Sequence, residues 1–216
     1  MCWRKAMLTL YDDPISGNGY KVRLILRLTG KAFRVVNLDI LKGETRTPEF
    51  LAINPNGKIP TLVFEDGRAL SESNAILFHC AEGSDYLPSE PFKRAQVLQW
   101  LFWEQYSHEP NIATSRFLRQ HRELTDDVLA ALEAKKAPGE AALALMEKHL
   151  TSHIFLVAEN FSIADIALYA YTHVAEESGF ALDGYLAIRA WIKRVEDIPG
   201  FIAMNEADNS SEEEPI

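Results

Sequence analysis

"LTLYDDPISGNGYKVRLIL", residues 8–26, is the stretch that decides the fold, because an alternating apolar run leads through a short polar loop into a helical pattern. The loop contains Ser16, Gly17, Asn18 and Gly19. A loop that joins the C-terminal end of a strand to a helix leaves backbone N–H groups of the first helical turn without intrahelical partners, which favours an anion. We therefore expect an anion site in this loop.

The runs that follow predict a small mixed sheet. Residues 7–80 alternate strand-like and helical segments in the order β-α-β-α-β-β-α. Two strands linked through a helix predict a parallel pair, whereas Asp66-Gly67 predicts a hairpin turn between antiparallel third and fourth strands. Gly30 is placed to end the first helix in the left-handed conformation, and Pro48 is placed in the first turn of the next helix.

From Pro91 onward the strand signal nearly disappears, and apolar residues recur at helical spacing. Pro110 is expected to kink or end the first long helix, and Ala137-Pro138-Gly139 to separate the next two. Ser162-Ile163-Ala164-Asp165 predicts a capping box ahead of a further helix. We expect an α/β domain over 1–81, a linker over 82–92, an all-helical domain over 93–204 and a frayed acidic tail over 205–216.

Composition excludes several classes of function. The formal net charge is −9, but the last twelve residues hold five carboxylates and no lysine or arginine, so the body is only mildly acidic. No basic stripe indicates nucleic-acid binding, and no apolar run predicts a membrane span or a secretory signal. Cys2 and Cys80 form no CxxC and no ligand cluster, so neither a disulfide framework nor a metal site is expected. These features favour a cytoplasmic protein.

The order of motifs resembles the cytosolic glutathione S-transferases, over residues 7 to about 202. The resemblance is carried by a serine-bearing loop before KVR at 21–23, NPNGKIP at 54–60, the Glu72-Ser73 pair and the capping box of the helical half. The serine-type bacterial, theta and zeta members are the most similar. The resemblance implies a thioredoxin-like first domain, a helical second domain, a homodimer, and glutathione as co-substrate without a metal.

Within that resemblance, the loop would stabilise the glutathione thiol as a thiolate. Ser16 is the first candidate for the hydrogen-bond donor to sulfur, and Asn18 is a rival donor in the same loop. The resemblance implies this rival, because some bacterial members of the family use an amide there, often in glutathione-dependent disulfide reduction. Members that work through a cysteine in this loop are excluded, because none is present. The local sequence alone equally fits a Ser16 that only caps its helix.

The resemblance also implies which residues bind the rest of glutathione. Ser73, with the first amides of its helix, would hold the γ-glutamyl carboxylate, and Glu72 would accept from the ammonium. Ile59, before a cis proline, would pair through its backbone with the cysteinyl residue. Lys58, and less directly Lys42, would lie near the glycyl carboxylate. The alternatives are a Ser73 that only caps a helix, an ordinary trans proline, and lysines that are merely solvated.

The acceptor substrate is expected to bind against the first long helix, "WLFWEQYSHEPNIATSRF". Phe102, Trp103, Tyr106 and Arg116 are the candidates for that pocket, although an aromatic stripe at helical spacing is also typical of a core. The expected reaction is attack of the glutathione thiolate on a small, mostly apolar electrophile, giving a thioether. The alternatives are glutathione-dependent isomerisation or disulfide reduction on the same site, and a non-catalytic carrier of glutathione or of a hydrophobic ligand.

Overall fold

The computed structural model describes residues 7–157 and 159–206. Cys2 and all but two residues of the expected acidic tail lie outside the described residues. Contacts between Cα atoms divide the chain into two units, the first formed by the described parts of Met1–Glu82 and Pro199–Ile216 and the second by Gly83–Ile198. Each unit is described by itself.

The first unit contains the predicted order of strands and helices. The elements are β1 (Leu8–Asp12), α1 (Gly17–Leu28), β2 (Phe33–Asn37), a 3-10 turn (Glu44–Arg46), α2 (Pro48–Ile53), β3 (Thr61–Val63), β4 (Ala69–Ser71) and α3 (Ser73–Ala81). The strands form one sheet in the order β2-β1-β3-β4. β1 pairs with β2 in parallel and with β3 antiparallel, and β3 pairs antiparallel with β4. The mixed sheet and its strand directions are therefore confirmed.

The local signals that predicted these elements are present in the structure. Gly30 and Gly67 have φ of 61° and 81°, as a helix end and a hairpin turn require. Thr47 caps α2 by accepting from the backbone N–H of Phe50, with Pro48 in the first turn. β1 alternates buried and half-buried residues, so that Leu8 and Leu10 face the core. Each of these features is set by residues close together in the chain, which is why the sequence predicts them.

The second unit is helical. Its elements are α4 (Pro91–Trp103), a π-helical turn (Glu104–His108), α5 (Glu109–His121), α6 (Asp126–Leu150), α7 (Ile163–Thr172), a 3-10 turn (Ala175–Ser178) and α8 (Leu186–Glu196). The interruption expected near Pro110 is confirmed, because the α-helix changes to the π turn after Trp103 and Pro110 lies in the first turn of α5. The capping box is also confirmed. The Ser162 side chain accepts from the backbone of the first helical turn, and the Asp165 side chain accepts from the backbone N–H of Ser162.

The expected break at Ala137-Pro138-Gly139 is wrong, because α6 runs without interruption from Asp126 to Leu150. Proline removes one helical hydrogen bond, but apolar residues on both sides of it, Leu132 and Leu143 among them, are buried and keep the two halves in one helix. Gly139 has a packing role instead of a turn role. A Cβ at Gly139 would lie 2.4 Å from the ring of Phe180.

The end of the described chain also differs from the expectation. The sequence assigned residues up to 204 to the helical domain, whereas the described residues after Ile198 belong to the first unit. Hydrogen bonds show why: the Tyr20 hydroxyl donates to the carbonyl of Ile202 at 2.7 Å, and Arg23 Nη2 lies 3.3 Å from the carbonyl of Met204. We call residues 201–206 the C-terminal segment. The segment accepts these hydrogen bonds through its own backbone carbonyls, which leave no signal in the sequence.

Among the described residues, none of the helices has the length and apolarity that crossing a membrane requires.

We expect Gly139→Ala to lower the free energy of unfolding by about 1–3 kcal/mol, the usual effect of overpacking. Alanine has the better helix propensity by about 1 kcal/mol, so the sign of the change reports the contact with Phe180. Chemical denaturation measures it. Gly184→Ala is the matched control, because a Cβ there meets nothing within 4 Å. A Gly139→Ala protein as stable as the unsubstituted chain would contradict the packing role.

Candidate functional site

Strand directions bring three segments to one edge of the sheet. β1 ends at this edge, whereas the antiparallel β3 begins there and β4 ends there, since Thr61 lies opposite both Tyr11 and Ser71. The loop after β1, the segment before β3 and the start of α3 therefore meet. These three segments contain Ser16, Asn18, Ile59, Glu72 and Ser73, which the sequence nominated from three separate places.

Ser16 is the N-cap of α1. Its backbone has φ of −74° and ψ of 121°, and its Oγ accepts a hydrogen bond from the N–H of Gly19 at 3.1 Å. The capping interpretation of Ser16 therefore holds. It does not exclude the other, because a hydroxyl oxygen that accepts one hydrogen bond keeps its own proton to donate. Ser16 is half-buried, so its hydroxyl is within reach of a ligand.

Asn18 and Ser73 are joined directly, although they are 55 positions apart in the chain. The Ser73 hydroxyl donates to Asn18 Oδ1 at 3.1 Å. Ser73 is the first residue of α3, and Asn18 lies in the first turn of α1. The N-termini of α1 and α3 therefore lie next to each other. Their partial positive charges and first-turn amides together favour a ligand that carries negative charge.

Glu72, the N-cap of α3, has an unusual backbone. Its φ is 69° and its ψ is 110°, and it is the one non-glycine residue of the described chain with a positive φ. A non-glycine residue held in such a region carries strain of about 1–3 kcal/mol, and such strain concentrates at functional sites. The side chain is exposed and caps nothing, so the carboxylate is left to interact with a ligand.

The segment before β3 has a cis peptide bond between Ile59 and Pro60, as expected. Asn54 supports the segment by donating from Nδ2 to the carbonyl of Lys58 at 2.8 Å and to Thr61 Oγ1 at 3.0 Å. Thr61 Oγ1 also donates to the Lys58 carbonyl, at 3.1 Å. The buried Asn54 thus fixes the backbone that leads into Ile59.

The two lysines are placed differently. The Lys58 side chain is exposed next to Ile59. Lys42 lies in the loop after β2, where its ammonium forms an exposed ion pair with Asp39 at 2.9 Å. The hydrogen bond that the Lys42 ammonium donates to Asp39 raises the pKa of Lys42. Contact of either lysine with a ligand stays a prediction.

The four candidates for the acceptor pocket differ in their surroundings. Phe102 and Tyr106 are 70% and 88% exposed. Trp103 instead lines a cavity of about 440 Å³ between α4 and the end of α6, next to Trp100. Arg116 pairs with Glu177 at 2.6 Å. Their assignment to a substrate pocket stays a prediction.

Sequence reasoning missed Asp12 and Arg23, which lie directly behind the loop. Asp12 is fully buried, and its Oδ2 lies 3.1 Å from Arg23 Nη1. That oxygen has no hydrogen-bond partner among the described residues, so the two groups are joined by charge attraction rather than by a directed hydrogen bond. Burial raises the pKa of Asp12 to about 7, against the opposing effect of Arg23. The alternation of β1 was the available signal, because it puts Asp12 on the same face as Leu8 and Leu10.

The described residues include no group of three or more histidine, cysteine, aspartate or glutamate side chains able to hold a metal ion.

Comparison with known proteins agrees with both units. Residues 15–82 match the glutathione S-transferase N-terminal domain, and residues 106–199 match the glutathione S-transferase C-terminal domain. The disulfide-bond oxidoreductase YfcG of Escherichia coli K12 is 32% identical over 200 residues, covering 89% of this chain and 92% of that protein.

Two solved structures extend the comparison. A glutathione S-transferase of Pseudomonas fluorescens is 51% identical with a TM-score of 0.90, covering 92% of this chain and 99% of that one. The glutathione transferase URE2P6 of Phanerochaete chrysosporium, in complex with oxidized glutathione, is 26% identical with a TM-score of 0.80, covering 89% of this chain and 92% of that one.

We expect Glu72→Gly to be more stable than Glu72→Ala by about 1 kcal/mol, because only glycine adopts the positive φ without a steric penalty. Chemical denaturation of the two variants measures the difference, which is independent of any ligand. The same two substitutions at Glu82, whose φ is −57°, are the control, and there alanine should be the more stable. Equal stabilities at position 72 would show that no strain is held there.

Proposed function

The chain belongs to the glutathione S-transferase family, and from that premise we propose that it binds glutathione at the edge of the sheet where β1 ends. In this proposal the site presents the thiol of glutathione, as a thiolate, to a small electrophile. The observation that carries the proposal is the hydrogen bond between Ser73 and Asn18, because it unites the two helix N-termini in one site. The relative with oxidized glutathione in its structure supports the choice of ligand.

The γ-glutamyl end of glutathione lies at the start of α3 in this proposal. Its carboxylate accepts from the first amides of the helix, where the helix dipole also favours a negative charge, and from the Ser73 hydroxyl once that proton turns from Asn18 Oδ1 to the ligand. Its ammonium pairs with the exposed carboxylate of Glu72. The strained backbone of Glu72 is what puts a carboxylate and an anion-binding helix end side by side.

The middle and the glycyl end of the peptide follow the cis proline. The backbone of Ile59 pairs with the cysteinyl residue in the manner of a neighbouring strand, so the identity of the Ile59 side chain is unimportant. Lys58, exposed beside it, and Lys42 are the proposed cations for the glycyl carboxylate. The Asp39 ion pair already occupies Lys42, which favours Lys58.

Ser16 donates to the glutathione sulfur in the proposed mechanism. A free thiol has a pKa near about 8.5, and lowering it by roughly two units requires about 3 kcal/mol. A hydrogen bond to an ion contributes about 1.5–3 kcal/mol. The N-terminus of α1 adds roughly 0.3–1 kcal/mol. Both effects act at Ser16, so together they are large enough, and no base beside the serine is needed.

The thiolate then attacks a carbon of the acceptor, a carbon–sulfur bond forms, and the leaving group departs with its electron pair. We place the acceptor against the helical residues Phe102, Trp103, Tyr106 and Arg116.

A second reaction is favoured by the likeness to a disulfide-bond oxidoreductase. In it, two glutathiones reduce a disulfide to two thiols and leave as oxidised glutathione, with Asn18 as the donor to sulfur. We further propose a cytoplasmic homodimer, whose mass light scattering would measure.

Ser16→Ala is expected to raise the thiol pKa of bound glutathione by roughly one to two units, the loss of one hydrogen bond to an ion. Glutathione affinity at high pH should stay near that of the unsubstituted chain. Asn18→Ala is the matched comparison in the same loop and should change the pKa much less. Ultraviolet absorbance of the thiolate, titrated across pH with saturating glutathione, measures both. A larger shift in the Asn18 variant would instead support the disulfide-reducing reaction.

The reaction itself is tested with two acceptors, a generic aryl halide and a small symmetric disulfide. We expect turnover of the aryl halide, with Ser16→Ala lowering kcat at neutral pH about three- to twenty-five-fold as the thiolate fraction falls. Lys193→Ala, an exposed substitution on α8, is the control. Preferential turnover of the disulfide would replace conjugation by reduction. Glutathione binding without turnover of either acceptor would contradict a catalytic function and indicate a carrier.

A further inference from the structure

We propose that the buried Asp12–Arg23 pair is a positioning pair that holds the loop carrying Ser16 and Asn18 in its working shape, with the C-terminal segment securing Arg23. We call residues 13–19 the site loop. The inference rests on the proposed function, because it assigns the site loop a role at the glutathione thiol. Neither Asp12 nor Arg23 is proposed to touch glutathione.

Asp12 contacts the site loop at both ends. Its Oδ1 accepts from the N–H of Asp13 at 2.7 Å. The same oxygen fills the space beside Gly19, where an added Cβ would lie 1.5 Å from it. The loop therefore starts on one side of this carboxylate and closes on the other. A glycine at position 19 is what allows the first turn of α1 to approach so closely.

Arg23 contacts the middle of the loop. Its Nη1 faces Asp12 Oδ2 at 3.1 Å, and its Nη2 donates to the carbonyl of Pro14 at 3.1 Å. The same Nη2 lies 3.3 Å from the carbonyl of Met204 in the C-terminal segment. A planar guanidinium presents several donors in a fixed fork, so one side chain joins β1, the site loop and the C-terminal segment.

The residues that the pair contacts are also bonded to Ser16. Ser16 N donates to the carbonyl of Asp13, and Ser16 Oγ accepts from Gly19 N. Asp13 and Gly19 are the same two residues that Asp12 contacts, so a shift of the pair moves the serine hydroxyl. Displacements of about 1 Å at a reacting group are enough to lower a rate on the order of a hundredfold.

The charges of the pair distinguish positioning from simple electrostatics. In Arg23→Gln the buried cation behind the loop is lost, and by charge alone its loss would raise the thiol pKa of glutathione. In Asp12→Asn a buried cation is left, and by charge alone it would lower that pKa. If the pair acts by holding the loop, both substitutions remove the hydrogen-bond donor from sulfur and both raise the pKa.

The experiment uses Asp12→Asn, Arg23→Gln and Arg23→Lys in the full chain. Arg23→Lys keeps a buried cation for Asp12 but loses the fork, so it guards against a variant that fails to fold. Thr29→Val is the matched control, because it removes side-chain hydrogen bonds at the C-terminal end of α1 without altering any contact of the site loop described above. One readout is amide hydrogen exchange of the site loop without ligand, and the other is the thiol pKa of bound glutathione.

We expect the site loop to exchange at least about tenfold faster in Asp12→Asn and Arg23→Gln, since removing one partner of a buried ion pair is strongly destabilising. Arg23→Lys should show a smaller increase and Thr29→Val none. The thiol pKa should rise by about one unit in both charge-removing variants. Opposite pKa shifts with unchanged loop exchange would overturn the proposal. If the unsubstituted chain does not lower the thiol pKa at all, the proposed function fails, and the exchange data still decide whether the pair holds the loop.

Discussion

The position of β1 between a parallel and an antiparallel partner is the constraint on which the site depends. With parallel neighbours only, the edge where β1 ends would receive strand ends followed by helices. The antiparallel β3 starts at that edge, so an extended segment before a strand meets two helix N-termini. The helix ends offer amide donors to charged groups, and the extended backbone at Ile59 offers the pattern of a neighbouring strand. Together they suit a ligand that is charged at its ends and peptide-like between them.

Two buried carboxylates show how one side-chain chemistry serves different purposes in the two units. Asp165 accepts from the N–H of Leu156, the Trp191 indole and both donors of Ser162, so both of its oxygens are used. Asp12 has an oxygen that faces only a charge. Burial raises the pKa of both, to about 6 for Asp165 and about 7 for Asp12. The fully bonded carboxylate fixes a helix start, and the protonation of the other responds to whatever changes Arg23, the cation beside it.

Features fixed by neighbouring residues could be predicted from the sequence, whereas features fixed by distant ones could not. The hairpin at Gly67 and the capping box at Ser162 are each determined by residues close together in the chain. Pro138 and Gly139 carried the signal for a break, but burial of the flanking apolar residues outweighed it. The positive φ of Glu72 is imposed by the junction of β4 with α3 and has no signature in its side chain. Helical spacing could not assign Phe102 and Trp103 to faces, and one is exposed while its neighbour lines a cavity. Among the site residues, local sequence suggested Ser16 and Ser73 as caps, and their convergence required the sheet.

The contact of the C-terminal segment with α1 makes the first unit discontinuous in the chain, with the whole helical unit inserted between its two parts. On the ribosome, Tyr20 and Arg23 are therefore made long before the carbonyls of Ile202 and Met204 that they bind. At synthesis rates of about 5–20 residues per second, roughly 9–36 seconds separate the donors from their acceptors. Through that interval both side chains must find their partners in water or elsewhere in the nascent chain. The last contacts of the first unit are thus formed only after the second has been translated, which couples completion of the first unit to synthesis of the second.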